Sequence, residues 1–405
     1  MEIRPTYLIF VSADNHNKFY NAFPEGNEFR VEYGRVNSTC TTIRYPISKW
    51  NSTLNSKIKK GYKDITDLKS DLVQEVSASN SDMTYKEIEN MVIRNIVNEL
   101  QRLAKETVKK NYTVAASAVT QAMVDKAQNI IDDLSKNDYS VDAFNKKLIE
   151  LFAVIPRNMS KVNNHLINDK SDMAKKLKEE QDLLDVLAGQ VYVKPDAPVV
   201  TETEKKQMTI LEELGLEFEE VDDEDVKLIK KLMNESKDKF KKAWKVKNLA
   251  TQARFDKFVA DNDITDTRLL FHGSRSENFW SIIKTGLVLR PTNAIITGKM
   301  YGYGIYFAPK CQKSIGYTSL SGSYWAGGSA NKAYMAIFEI AYGKPYDVYT
   351  FDSKYYDLNY DKLQKFCCGA NCLHAHADRG MLRNDEIVVY KEEQITIKYL
   401  IEIGY

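Results

Sequence analysis

The spacing of hydrophobic residues changes twice along this chain, and that limits its folds more than any single motif. Through about residue 66, aromatic and β-branched runs such as "KFYNAF" and "FRVEYGRV" flank the turn stretch "PEGNE", the pattern of a β-hairpin. The following "PISKWNSTLNSKIKKG" predicts one helix, with Ser48 as N-cap, Trp50, Leu54 and Ile58 on one face and Gly61 as its stop. From Asp82 to Gly189 the period becomes helical, with Ile88, Met91, Val92, Ile96, Leu100 and Leu103 recurring and "DAFNKKLIELFAVIP" repeating the pattern. A bundle is predicted there, and the proline-bearing "VYVKPDAPVVTETEKK" reads as a linker. Beyond it, helical patterns through "DVKLIKKLMNESKDKFKKAWKV" mix with strand runs "RLLFHGS", "YMAIFEIAYG", "DEIVVY" and "TIKYLIEIGY", without βαβ alternation. The acidic run "EELGLEFEEVDDED" and the lysine-rich stretch after it read as solvated faces. The expectation is an α+β protein in three parts: a small β-rich domain over 1–68, an all-α bundle over 80–190, and a mixed domain with antiparallel sheets over 207–405.

With 405 residues and 43% hydrophobic content, several cores of ordinary size are possible. The start "MEIRPTYLIFVSADNH" lacks the apolar stretch of a signal peptide, so an intracellular protein without a membrane is expected. Five cysteines argue for a reducing compartment. Net charge is +1, but residues 1–66 hold ten Lys and Arg against six acids, a local excess that permits a nucleic-acid partner without demanding one.

Two motifs carry chemistry. In "YGYGIYFAPKCQKSIGY", Gly302 and Gly304 allow close backbone approach, and the flanking tyrosines offer flat walls suited to a planar ring. A dinucleotide fingerprint is excluded, since Phe307 stands where its third glycine belongs. In "CCGANCLHAHADRG", Cys367, Cys368, Cys372, His374 and His376 raise zinc, but no pair has the Cys-x-x-Cys separation. A loop with small buried thiols is the expectation there, with no metal.

Taken with "FHGSRSENFWSIIKTGL" and "NDEIVVYKEEQITIKYLIEI", the tyrosine stretch resembles the catalytic domain of the poly(ADP-ribose) polymerases, and the three blocks stand in that family's order. The resemblance implies an NAD-dependent ADP-ribosyltransferase with a triad of His272, Tyr306 and Glu386. It also implies nicotinamide stacked between Tyr306 and Tyr317, its carboxamide on the Gly273 backbone and Ser314 hydroxyl. His272 would orient the adenosine-side ribose, and Ser274, Asn278 and Lys313 would stand near the nucleotide. Val288 replaces the family's arginine, although Arg290 follows two residues on. Seen singly, Tyr306 reads as core, Glu386 as a strand-edge residue and His272 as a turn residue; the ordered blocks outweigh those readings.

The stretch "EFRVEYGRVNSTC" resembles the tryptophan-glycine-arginine (WGR) module, with Tyr33 at the tryptophan position, Arg35 kept and Asn37 in place of a glycine. That resemblance implies DNA binding at strand breaks or ends through Tyr33 and Arg35. The bundle resembles the family's helical regulatory domain, which implies autoinhibition relieved by DNA. The expected acceptors are proteins, including the enzyme itself, and ADP-ribose, with no metal in the chemistry. Mono-ADP-ribosylation, or a silent DNA-end scaffold, are the alternatives. The expected location is the bacterial cytoplasm or nucleoid, or the nucleus in a eukaryote.

Overall fold

Alternating side chains through residues 6–46 build a five-stranded sheet from β1 (Thr6–Ser12), β2 (His16–Glu25), β3 (Glu28–Arg35), β4 (Thr41–Pro46) and β5 (Lys63–Asp64), in the order β4-β3-β2-β1-β5. The computed structural model describes residues 2–36, 38–69, 85–113, 119–136, 138–191, 207–289, 300–324, 326–377 and 382–405. The linker over 192–206, Asn37 and Arg290 lie outside the described residues. The expected hairpin is β2–β3, turned at Gly26 with φ 66°. Helix α1 (Trp50–Lys59) buries Trp50 and Leu54 against Leu8, Phe29 and Val31. Ser48 does not cap it. A 3-10 turn over Ile47–Lys49 precedes the helix and makes Lys49 the capping position, with no side-chain hydrogen bond. Ile58 is exposed, so the apolar face is one turn shorter than its spacing predicts.

The helices are α2 (Met91–Asn111), α3 (Gln121–Lys136), α4 (Val141–Val154) and α5 (Met173–Val191). The stripe expected on α2 is displaced: Ile88 precedes the helix, Met91 and Val92 are exposed, and the buried face is Ile93, Ile96, Val97, Leu100 and Ala104. Ser140 caps α4 by accepting from the Ala143 amide, and Ile155 and Pro156 end it. The chain divides into two compact units, 1–82 with 105–191 and 83–104 with 192–405, so the division falls within α2.

In the second unit, α6 (Ile210–Leu214) leads into β6 (Leu216–Glu220), α7 (Asp223–Met233), β7 (Phe240–Asn248), α8 (Leu249–Asp261) and β8 (Thr267–Gly273). Then come α9 (Phe279–Thr285), β9 (Ile305–Phe307), α10 (Cys311–Ile315), β10 (Lys332–Ala341), β11 (Pro345–Val348), α11 (Tyr360–Phe366), β12 (Cys372–Ala375), β13 (Glu386–Val389) and β14 (Ile395–Gly404). The strands form two sheets, β6-β7-β14-β10-β8 and β11-β12-β13-β9. All pairs are antiparallel except β11 with β12. Two stretches depart from the sequence reading. The helix predicted through "DVKLIKKLMNESKDKFKKAWKV" ends at Asn234, whose φ is 48°, and "FKKAWKVKN" becomes strand β7. The acidic run contains β6, an edge strand with Glu217, Glu219 and Glu220 exposed.

No helix among the described residues is long and apolar enough to cross a membrane.

Candidate active site

The site forms where the two sheets of the second unit meet. Phe271 and Ala308 exchange backbone N–H···O bonds of 3.0 Å each, which ties the end of β8 to the end of β9. That exchange brings His272 beside Tyr306: its Nδ1 lies 3.2 Å from the Tyr306 carbonyl oxygen, and its ring meets Phe307 and Phe338 edge-on.

Gly273 faces α10 at very close range. A Cβ there would lie 1.9 Å from the Ser314 carbonyl oxygen, so only glycine permits this approach of backbone to helix. Ser314 is itself buried. The Gly-x-Gly turn has the same basis: Gly302 has φ 73°, and a Cβ on it would meet the Leu358 carbonyl at 2.2 Å.

The tyrosines of this stretch divide by role. Tyr301 is core, not wall. Its amide donates to the Tyr306 hydroxyl at 3.0 Å, and its carbonyl accepts from the Tyr390 hydroxyl at 2.8 Å. The Tyr306 hydroxyl in turn donates to the Gly302 carbonyl at 3.1 Å, so the ring is held by the turn it follows. Burial raises the Tyr306 phenol well above its usual pKa, and the charge of Glu386 adds to the rise. Tyr301 and Tyr317 are each pushed up to about 12, first by burial and then by the same carboxylate. Glu386 is thus within electrostatic reach of all three phenols.

Glu386 opens β13, where Val388 is in register with Tyr306 of β9. Its Oε1 lies 2.5 Å from Lys313 Nζ, and both side chains are largely shielded from solvent. Lys313 also donates to the Asn384 carbonyl at 3.3 Å. The lysine and Ser314 share α10, and Tyr317 follows its C-cap, Gly316. One short helix and one strand end therefore bring together the cation, carboxylate, hydroxyl and aromatic ring.

Just past the end of β8, Asn278 Nδ2 donates to the Ser274 hydroxyl at 2.9 Å. Asn278 Oδ1 is buried with no hydrogen-bond donor among the described residues. A buried acceptor left open is costly unless a ligand or water satisfies it, so this atom fits a polar ligand beside Ser274. The sequence singled out Asn278 but gave no sign of its open oxygen, nor of Tyr390 as the support for Tyr301.

Tyr33 and Arg35 lie elsewhere, on β3 in the first unit. The Tyr33 ring packs beside Tyr20 at 5.8 Å and onto the core of the β-rich sheet, with the Lys57 ammonium above it. Arg35 donates to the Ser160 carbonyl at 2.9 Å.

Comparison with known proteins agrees with the second-unit architecture. Residues 217–405 match the poly(ADP-ribose) polymerase catalytic domain. The chain is 33% identical over 187 residues to protein 101L of Invertebrate iridescent virus 6, covering 45% of this chain and 76% of that protein. It is also 33% identical over 165 residues to protein 100L of the same virus, described as poly [ADP-ribose] polymerase-like, covering 40% and 84%. Poly [ADP-ribose] polymerase 2-B of Oryza sativa is 24% identical over 339 residues, which is 76% of this chain and 52% of that protein. The chain thus spans about half the length of that plant relative. On the family match, the extent of the viral similarity and the sheets that carry it, this chain belongs to the poly(ADP-ribose) polymerase family and is an NAD-dependent ADP-ribosyltransferase.

Proposed function

We propose that the chain is a DNA-responsive poly-ADP-ribosyltransferase, transferring ADP-ribose from NAD to protein side chains and then to ADP-ribose already attached. The observation that carries this reading is the convergence of Glu386, Lys313, Ser314 and two half-buried tyrosines, Tyr306 and Tyr317, at one sheet junction. In this reading, nicotinamide stacks between Tyr306 and Tyr317, with its carboxamide on the Gly273 backbone and the Ser314 hydroxyl. His272 orients the adenosine-side ribose, and Ser274 and Asn278 supply polar contacts to the nucleotide.

The bond from ribose C1′ to the nicotinamide nitrogen breaks, its electron pair leaves with neutral nicotinamide, and positive charge develops on the sugar. A carboxylate near the ribose hydroxyls stabilises that charge in a site screened from water. The acceptor oxygen then bonds to C1′, and its proton passes to Glu386. A ribose hydroxyl is a poor nucleophile without such help, which contributes about 10²- to 10⁴-fold in rate. The Lys313 ammonium, 2.5 Å from Oε1, holds the carboxylate in position until substrate arrives.

The β-rich module over 1–68 is read as the DNA contact, through Tyr33 and Arg35, and the helical segment over 80–190 as a restraint on the catalytic domain of 207–405. What supports a link between the first two is the Arg35 bond to Ser160. A phosphate that draws the guanidinium away from this carbonyl would break the bond. DNA shifts the balance only to the extent that it binds the open form more tightly.

The test is NAD consumption with and without nicked DNA, for wild type and Glu386→Gln, with product length read on a gel. Long products from wild type, stimulated by DNA, are expected, with a loss of about 10²- to 10⁴-fold in Glu386→Gln at little change in KM. Equal rates with and without DNA would remove the DNA dependence, and single additions would replace polymer by mono-transfer. A wild type as inactive as the variant would leave a DNA-end scaffold.

A further inference from the structure

The cysteine and histidine stretch resolves into something its residue count does not convey. Its cysteines sit in different surroundings: Cys372 is buried and donates to the Tyr342 carbonyl at 3.3 Å, Cys367 packs on a core cluster, and Cys368 is exposed. The two histidines converge instead. His374 and His376 are two residues apart along one strand direction, so their imidazoles lie on the same face. Their rings stack at 4.0 Å between centroids with 22° between planes. Asp347 on the parallel neighbour β11 stands in register with His374. One ligand atom from each of Asp347, His374 and His376 falls within 4.8 Å of the others.

We propose that Asp347, His374 and His376 form a binding site for a divalent transition metal of the zinc class, with Asp385 supporting it. Two imidazoles and a carboxylate, with a fourth position for water, make a familiar zinc ligand set. Tetrahedral coordination at about 2.0–2.1 Å separates ligand atoms by about 3.3 Å, so the observed cluster closes onto an ion through side-chain rotation. His376 Nε2 and Asp347 Oδ1 are already 2.7 Å apart.

The surroundings fit as well. The Tyr342 hydroxyl lies 2.8 Å from His374 Nδ1 and fixes that ring, leaving Nε2 toward the cluster, an arrangement that outer partners of metal-bound histidines commonly provide. Tyr349 stacks on His376 at 4.5 Å, nearly parallel. Asp385 Oδ2 lies 3.1 Å from His374 Nε2, a hydrogen bond that an ion on this nitrogen would displace, leaving the carboxylate charge beside the ion; its Oδ1 accepts from the Ala377 amide at 2.9 Å. The groups come from three adjacent strand segments, and Asp385 directly precedes Glu386. Neighbouring strand residues face opposite sides, so the ion would clamp the segment whose other face carries the Glu386 carboxylate.

The test reads metal binding, not transferase activity, so it stands apart from the proposed reaction. The full chain, stripped with a chelator, is titrated with Zn²⁺ and then with Co²⁺, following bound metal, melting temperature and the visible absorption of Co²⁺. Expected are one equivalent per chain, a raised melting temperature and a four- or five-coordinate Co²⁺ spectrum without thiolate charge transfer. Binding should survive a Cys40→Ser/Cys367→Ser/Cys368→Ser background. His376→Ala should abolish it, and Asp385→Asn should weaken it about 10- to 100-fold. No saturable binding by wild type, a thiolate band in the Co²⁺ spectrum, loss in the triple Cys→Ser background, or unchanged affinity in His376→Ala would each overturn the site. The spectrum and the cysteine background decide the matter even if a histidine variant does not fold.

Discussion

At the scale of single residues, the catalytic region is organised by close contacts that only certain side chains allow. Gly273 admits the α10 backbone, Gly302 admits Leu358, and the Tyr306 hydroxyl joins the Tyr301 amide to the Gly302 carbonyl. The phenols of Tyr301, Tyr306 and Tyr317 have folded-state pKa values above the usual value of about 10. The sign follows from proton binding: above pH ~10 the unfolded chain releases phenolic protons that the folded chain retains. Their contribution to stability is complete below pH ~10 and is lost as pH rises through the folded values. The melting temperature should therefore fall between pH 10 and 12, and Tyr317→Phe should reduce that slope. An equal slope in the variant would exclude Tyr317 as a source.

At the scale of elements, the first unit is held partly by charge. The Arg157 guanidinium lies 3.2 Å from Glu180 Oε2 and covers the Tyr112 ring, and Lys176 Nζ reaches Glu180 Oε1 at 2.8 Å. Arg157 and Glu180 are both buried. Removing one partner leaves a buried charge uncompensated, so Glu180→Ala should destabilise this unit by about 3–5 kcal/mol. Denaturant unfolding of Glu180→Ala, set beside the Arg157→Met/Glu180→Leu pair, measures it; the double variant should recover much of the loss. The elements most legible in the sequence were the β2–β3 hairpin and α4, whose burial is periodic, and β10 and β14, whose near-continuous apolar runs are buried on both faces. Strands β6 and β7 were not legible. Their exposed faces carry Glu217, Glu219, Lys241 and Lys242, and that charge hides the inward Leu216, Ala243, Trp244 and Val246. Local sequence has no means of showing that β14 completes the pairing from the far end of the chain. The motif residues of the site were legible for the opposite reason, since their spacing within each block is short and fixed by close contact. The open oxygen of Asn278 and the face shared by Asp347 and the two histidines depend on three-dimensional register, which no local pattern displays.

At the scale of the whole molecule, the proposed DNA response links a surface arginine on one module to a carbonyl of the helical segment. Arg35→Ala removes both the Ser160 bond and any phosphate contact. The ratio of NAD consumption with nicked DNA to that without it should fall toward one in this variant, and an unchanged ratio would detach Arg35 from the response.

The junction of the two sheets in the second unit has a mechanical consequence. Each sheet is a stiff plate, whereas among the described residues the backbone seam between β8 and β9 is one reciprocal pair of amides, at Phe271 and Ala308, with the His272 ring on the Tyr306 carbonyl beside it. Parting the plates there breaks fewer bonds than fraying any long strand pair, so the cleft should widen by unzipping at this stitch. Hydrogen–deuterium exchange should show these two amides exchanging ahead of those in β10 and β14, and slowing when an unreactive NAD analogue spans both plates.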